Sequence, residues 1–329
     1  MRAGLLLAAG AGALSLAVRR AERAYAAAVA SDPRAADVAP VRPDEVRTVT
    51  TPDGTRLHVE LSGPVGAPVV VLAHGWTCAT PFWSAQVRRL RADHRVVAYD
   101  QRGHGQSTGE HAAFCTDVLG DDLQAVLQAF LGDGERAVLV GHSMGAMSIA
   151  AWAGRHPEEV GRRASAAVLL NTGLDGLSWE STFLPGRGRL SGRAQRALLA
   201  RPDALIGPVS LTAAGLRHLA FGPGASPAAV DLGTRLMRQT DRRHRAAWAD
   251  VMGDLHLLAE ARSLTVPTTV VASDRDRLTP PVYARRFAAE LPQLVELVEL
   301  PGVGHMSPLE APDTVAALIR TAVRERAAA

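Results

Sequence analysis

Short apolar runs punctuate this chain from about Glu45 onward, and longer helix-like stretches fill the intervals between them. Val46 to Thr51 and Thr55 to Leu61 flank Pro52-Asp53-Gly54, a turn sequence in which glycine supplies a positive φ, and together they predict a hairpin. Val69 to Ala73, Val96 to Tyr99, Ala137 to Val140 and Ala166 to Leu170 are continuous apolar runs, as expected of strands buried on both faces. Helices are predicted over Trp83 to Leu90, over Thr116 to Leu131 with acids in its first turns, and over Gly145 to Arg155. The pattern then breaks. From about Gly173 to Arg262 no buried-strand run occurs, only Ala-, Leu- and Arg-rich helical stretches broken by Gly and Pro. Strand signals return at Thr268 to Ala272 and Val295 to Leu300, with helices predicted at Pro281 to Leu291 and Pro312 to Arg324. Strands separated by helices imply a mainly parallel sheet covered on both faces, and the strandless stretch reads as a helical insertion between two strands. The expected organisation is an N-terminal segment over 1–45, a first core part over 46–172, a helical cap over 173–262 and a second core part over 263–329.

The first 45 residues follow another pattern. Gly4 to Val18 is an uncharged apolar run bounded by Arg2 and by Arg19, Arg20 and Arg23. Its length falls short of the ~20 residues that an upright membrane helix needs. Three readings stay open: a short membrane anchor through residues 1–20, a cleaved leader with Ala24-Tyr25-Ala26 as its site, or a helix lying on a membrane or on the domain. The charged stretch between the apolar core and that site counts against export, and the basic C-terminal flank would hold the rest of the chain on the cytoplasmic side. Some membrane association is the favoured expectation. Ser31 to Pro43, with proline and aspartate and no periodicity, reads as a linker.

Composition narrows the function classes. A chain of 329 residues with 47% hydrophobic content supports a sizeable core, and its net charge of +3 comes from arginines interspersed with acids, with no lysine. Nucleic-acid binding would want a concentrated basic stripe and a matching module, and neither is present. Cys78 and Cys115 lack metal-ligand spacing and read as two thiols, with a disulfide possible only after export.

The chemistry concentrates at Gly141-His142-Ser143-Met144-Gly145, a G-x-S-x-G sequence between an apolar strand and an Ala-rich helix. A serine on so sharp a turn projects its Oγ above the sheet edge, and the N–H of Met144 points at the oxygen that turns negative during acyl transfer. Such a nucleophile needs a base, and the base needs a group to hold its tautomer. His305, just beyond the last strand on a Gly-rich loop, is the candidate base. Asp276 and Asp274, both after the Thr268 to Ala272 strand, compete for the acid. The second oxyanion donor is expected from the loop His74-Gly75-Trp76, through the Trp76 N–H. His74, His104 and His142 sit in tight Gly-rich turns and read as structural, and His58, His94, His111, His156, His218, His244 and His256 as surface or cap residues.

Taken together, His74-Gly75-Trp76, Asp100-Gln101-Arg102-Gly103-His104-Gly105-Gln106-Ser107, Gly141 to Gly145, Asp276 with Pro280, and Gly304-His305 resemble the α/β-hydrolase fold superfamily, in its serine hydrolase branch with a helical cap. The resemblance covers roughly Val46 to Arg324 and implies an eight-stranded-type, mainly parallel sheet. It favours Asp276 over Asp274, because an Asp four residues before Pro is the family's spacing, and it gives Asp100 and Arg102 a role in stabilising their loop. Serine at the elbow argues against the haloalkane dehalogenases and epoxide hydrolases, which use Asp there. His-Gly-Trp in place of a Gly-Gly-Gly run argues against esterases of the hormone-sensitive-lipase type. The implied activity is hydrolysis of a small hydrophobic carboxylic ester, by a carboxylesterase or lipase-like enzyme, with Trp76, Phe82 and Trp83 lining the pocket and no metal or organic cofactor. C–C bond hydrolase, cofactor-free perhydrolase, amidase and acyltransferase chemistry use the same triad and stay open, as does a non-catalytic binding module.

Overall fold

The structure is a computed structural model that describes residues 2–109, 114–177 and 207–327. Its elements run α1 (Arg2–Ala30), α2 (Ala35–Val38), β1 (Glu45–Thr50), β2 (Arg56–Ser62), β3 (Val69–Ala73), a 3-10 turn (Thr80–Trp83), α3 (Ser84–Leu90), β4 (Arg95–Tyr99), α4 (Thr116–Phe130), β5 (Ala137–His142), α5 (Met144–Arg155), α6 (Pro157–Arg163) and β6 (Ala164–Leu170). After β6 come α7 (Val209–Ala220), α8 (Pro227–Gln239), α9 (Arg242–Gly253) and α10 (Leu258–Ala261). The chain closes with β7 (Thr268–Ser273), α11 (Pro281–Ala288), β8 (Leu294–Leu300), α12 (Ser307–Glu310) and α13 (Pro312–Ala327).

The strands form one eight-stranded sheet in the order β1-β2-β4-β3-β5-β6-β7-β8. β2 pairs antiparallel with both of its neighbours, and every pairing from β4 to β8 is parallel. The period of two along each strand explains why the central runs are apolar without interruption. Val69, Val71 and Ala73 of β3 enter the cluster formed with α4, α5 and α11, whereas Val70 and Leu72 enter the opposite cluster with α3 and α13. A polar residue at any of these positions would be buried under one helical layer or the other.

Helices α7 to α10 lie between β6 and β7, within the stretch 173–262 that the sequence reads as a helical insertion. Its two ends meet, with Leu257 N–H donating to Leu174 O at 2.7 Å and Gly176 N–H to Leu255 O at 3.3 Å. The insertion thus leaves and rejoins the core at one place. The stretch 178–206 of the expected cap and His111 lie outside the described residues.

The N-terminal segment departs from the expectation of a linker. Asp32 is buried, and its Oδ2 accepts the Ala228 N–H at 2.7 Å at the start of α8. Arg34 donates to the carbonyls of Leu309 (3.4 Å) and Glu310 (3.0 Å), and Asp37 pairs with Arg89 at 2.8 Å. These charged side chains find backbone groups and opposite charges on the body, so the segment is fastened. The end of α1 lies on the cap: Tyr25 donates to Asp231 Oδ1 at 3.1 Å, and Glu22 accepts both the N–H (2.9 Å) and the hydroxyl (2.8 Å) of Ser210. Of the three readings of this region, a helix on the domain describes its C-terminal end. Among the described residues no helix is long and apolar enough to cross a membrane.

Candidate active site

The parallel strands bring their polar residues to one edge of the sheet, at the carboxyl ends where open α/β sheets bind ligands. Ser143 follows β5 directly, with φ +53° and ψ −116°. A non-glycine residue at such a φ costs about 1–3 kcal/mol and persists only where its surroundings enforce it. Here the Ser143 N–H donates to Leu170 O at 2.8 Å, and Ser143 O accepts from Ala146 N–H (2.9 Å) and from the Thr172 hydroxyl (3.0 Å). The flanking glycines give the turn its room. A Cβ on Gly145 would clash with the Ala73 carbonyl oxygen, and one on Gly141 would lie 2.5 Å from Gly145 O.

The loop after β3 approaches the serine just as closely. A Cβ on Gly75 would stand 3.2 Å from Ser143 Cβ and 2.7 Å from His142 Nδ1. Among the described residues neither the Trp76 N–H nor the Met144 N–H has an acceptor. The Trp76 indole donates to Arg245 O at 3.0 Å, which ties this loop to α9 of the cap. Phe82 and Trp83 do not line the pocket as expected. Both have 0% exposure: Phe82 stacks on the His142 ring at 4.7 Å and Trp83 packs edge-on against Phe82 at 5.0 Å, so they support the elbow from beneath.

His305 and Asp276 are brought together. His305 Nδ1 lies 2.8 Å from Asp276 Oδ2, an arrangement in which Nδ1–H donates and Nε2 keeps its lone pair. Asp276 is buried, and its Oδ1 accepts the N–H groups of Leu278 (2.9 Å) and Thr279 (2.8 Å). Its Oδ2 also accepts from the Thr279 hydroxyl at 2.8 Å and Asn171 Nδ2 at 3.2 Å. Burial alone would raise this carboxyl, but the His305 charge and these hydrogen bonds outweigh it and hold the group below its ordinary range. Asp274 is engaged elsewhere, its Oδ1 accepting the Gly302 N–H at 2.7 Å. A buried carboxylate on a histidine is an arrangement able to hold one imidazole tautomer and to stabilise an imidazolium, and His142 ties the backbone of that histidine to the elbow.

Three neighbouring histidines are neutral for identifiable reasons. His74 lies 2.8 Å from Gly75 O through Nδ1 and accepts the Gln101 N–H at Nε2 (3.0 Å), while His104 accepts the Thr77 N–H (3.1 Å). His142 donates from Nε2 to His305 O at 2.8 Å, and its Nδ1 has no partner among the described residues. Burial pushes His142 down to about 3, His104 to about 4 and His74 well below its usual value. His58 and His94, expected at the surface, are buried instead, His58 lying 3.1 Å from Glu60 and His94 2.8 Å from Asp93.

The loop after β4 behaves as the resemblance implied. Asp100 accepts the N–H groups of Thr80 (2.7 Å) and Gln106 (2.8 Å), with burial pushing its carboxyl up to about 6. Arg102 grips Asp122 with two hydrogen bonds of 2.9 and 2.7 Å. Cys78 and Cys115 are free thiols.

Asn171 was not anticipated. At φ +46° beyond β6, it donates to Ser273 Oγ (2.9 Å) as well as to Asp276, and accepts from the Ser307 hydroxyl at 2.5 Å. Its one sequence signal is an amide placed where a buried strand reaches the sheet edge.

Comparison with known proteins bears on this arrangement. The family model described as alpha/beta hydrolase fold matches residues 68–312. The chain is 40% identical over 112 residues to a bifunctional esterase/perhydrolase of Acinetobacter calcoaceticus, a match covering 34% of this chain and only 40% of that protein. It is 27% identical over 272 residues to a non-heme chloroperoxidase of Burkholderia pyrrocinia, covering 78% and 92% of the two chains. In three dimensions it is similar to an esterase of Exiguobacterium antarcticum, with a TM-score of 0.72 at 20% identity over 85% of this chain and 100% of the other, a likeness of fold. The family match runs from the residue before β3 to the first residue of α13 and takes in each strand that carries a site residue, and the chain therefore belongs to the α/β-hydrolase fold family.

Proposed function

We propose that this protein is a serine hydrolase that cleaves hydrophobic carboxylic esters through an acyl-enzyme. The observation carrying this reading is the His305–Asp276 contact of 2.8 Å, tied through His142 to an elbow whose serine is held at φ +53°. In this reading Ser143 Oγ attacks the ester carbonyl as His305 Nε2 takes its proton, and the imidazolium is stabilised by Asp276. The N–H groups of Trp76 and Met144 receive the oxyanion, each contributing about 2.7–4 kcal/mol of transition-state stabilisation. His305 then protonates the departing alkoxide, and a water repeats the sequence to release the acid. The esterase named among the relatives supports the choice of an ester.

The test is hydrolysis of p-nitrophenyl esters from acetyl to palmitoyl by the protein and by Ser143→Ala, with fluorophosphonate labelling in parallel. Turnover and labelling that both vanish in Ser143→Ala are expected. Labelling without ester turnover would move the reaction to C–C, amide or acyl-transfer chemistry. No labelling would overturn the reading.

A further inference from the structure

The turn that carries His305 is held largely from outside the sheet. Gly302 N–H donates to Asp274 Oδ1, and Val303 O accepts the Arg275 N–H at 3.0 Å, so the first two residues rest on the loop after β7. His305 O rests on the elbow through His142. Gly304 O accepts from Asn171 Nδ2 at 3.4 Å, and two further attachments lead to the cap. Met306 N–H donates to Ala220 O, the end of α7, at 3.2 Å. Gly304 N–H donates to Glu310 Oε1 at 3.1 Å, and the other oxygen of the same carboxylate accepts the Gly222 N–H at 2.7 Å.

Glu310 is thus a bridge: one oxygen on the residue before His305, one on the cap. The contact it spans is closely packed. A Cβ on Gly222 would clash with the Gly302 carbonyl oxygen and lie 2.9 Å from Gly304 N. Arg34 fixes the bridge from behind by donating to the Leu309 and Glu310 carbonyls. A largely buried carboxylate is costly unless its oxygens are satisfied. This one is satisfied by backbone groups of two separate parts of the fold, and its release by either would leave the other attachment unbalanced.

We propose that Glu310 is a positioning residue that couples the cap to His305, so that the seating of Ala220 to Gly222 sets the alignment of the base. The inference rests on the reading of His305 as base. A cap displaced at Ala220 to Gly222 then draws the base out of line, and the fit of a substrate beneath the cap is read in the rate of the chemical step as well as in affinity.

The full-length protein tests this with Glu310→Gln, which sets an amide against one of the two N–H donors, and with Gly222→Ala, which keeps the carboxylate but wedges a methyl between the cap and Gly302 and Gly304 of the turn. Amide hydrogen exchange at Gly304 and Met306 should quicken in both variants while that of β5 stays as in the native protein. In both, kcat for p-nitrophenyl acetate should fall by about 10²-fold with KM held within about twofold, since a displacement near 1 Å is enough for such a loss. The double variant should be no slower than the slower single one, because both act on one contact. Unchanged exchange at 304–306, faster exchange without loss of kcat, or losses that add would each overturn the coupling. If Gly222→Ala does not fold, the exchange and kcat of Glu310→Gln decide alone. If the native protein neither turns over esters nor labels with fluorophosphonate, the serine-hydrolase reading fails, and the exchange data still decide whether the cap holds the His305 turn.

Discussion

His142 holds His305 by its backbone: the Nε2–H of one donates to the carbonyl of the other at 2.8 Å, with the two rings 4.9 Å apart. The residue before the proposed nucleophile therefore fixes the turn of the proposed base. Its ring is fully buried, and burial keeps it neutral.

That neutrality makes stability depend on pH. His142, His104 and His74 have their folded-state values depressed below the ~6.5 of an unfolded chain. A depressed group stabilises the fold above its unfolded value and loses that contribution as pH falls toward its folded one. The unfolded state thus takes up protons first, and His142 and His104 should each cost about 2 kcal/mol by pH 5, with His74 acting in the same direction. Asp100, raised to about 6, works the other way over pH 4–6 and returns about 1–2 kcal/mol. The net expectation is a loss of several kcal/mol between pH 7.5 and 5, measured by urea unfolding at the two values. Stability that is level or greater at pH 5 would refute it.

Exchanging the two candidate acids separates their roles. Asp276→Asn should lower kcat by about 10⁴-fold, because the amide cannot hold the imidazole in the tautomer that leaves Nε2 bare. Asp274→Asn, which meets the Gly302 N–H and, at 3.7 Å, the exposed Arg275 guanidinium, should stay within a few-fold of native, roughly the effect of a surface substitution. Near-native activity in the first and collapse in the second would reverse the assignment.

A single methyl at Gly75 should be enough to spoil the site. It would sit 2.7 Å from His142 Nδ1 and 3.2 Å from Ser143 Cβ, closer than packed side chains tolerate. Gly75→Ala is expected to cost about 10²-fold in kcat through displacement of the serine, with a folded protein by circular dichroism. Native kcat in this variant would mean that the loop has slack.

The fastened N-terminal segment predicts that cap stability is set far away in sequence. Asp32→Ala removes the acceptor of the Ala228 N–H at the start of α8 and should cost about 1 kcal/mol, as loss of a helix cap does. Limited proteolysis within α7 and α8 should quicken accordingly. Unaltered cleavage and melting would mean that Ser226, which accepts the Ala229 N–H, suffices to cap α8.

The core was legible because burial on two faces leaves no choice of residue. The apolar runs at Val69, Val96, Ala137, Ala166 and Thr268 all became strands of the sheet within a residue or two of their expected bounds. Ser143, His305 and Asp276 were legible because the chemistry demands these types just beyond strands, and the structure sets Asp276 rather than Asp274 against His305. Residues that act through others were not. Nothing local to Glu310 says that its two oxygens face Gly304 and Gly222, and Asn171 reads as an ordinary turn until Asp276 is seen beside it. Aromatics near a loop either pack or line a pocket, and the partners that sent Phe82 and Trp83 inward lie some sixty residues away, at His142, or within their own pair. The short helix α6 did carry its signals, with Pro157 first, Glu158 and Glu159 in the opening turn and Arg162 and Arg163 in the last.

The hold of Tyr25 on Asp231 gives the Ala24-Tyr25-Ala26 sequence a second meaning. A protease cutting there would do more than shed an address label. It would strip Glu22 and Tyr25 from α7 and α8 while leaving Asp32 and Arg34 in place, so cleavage at that bond and loosening of those two helices would be one event.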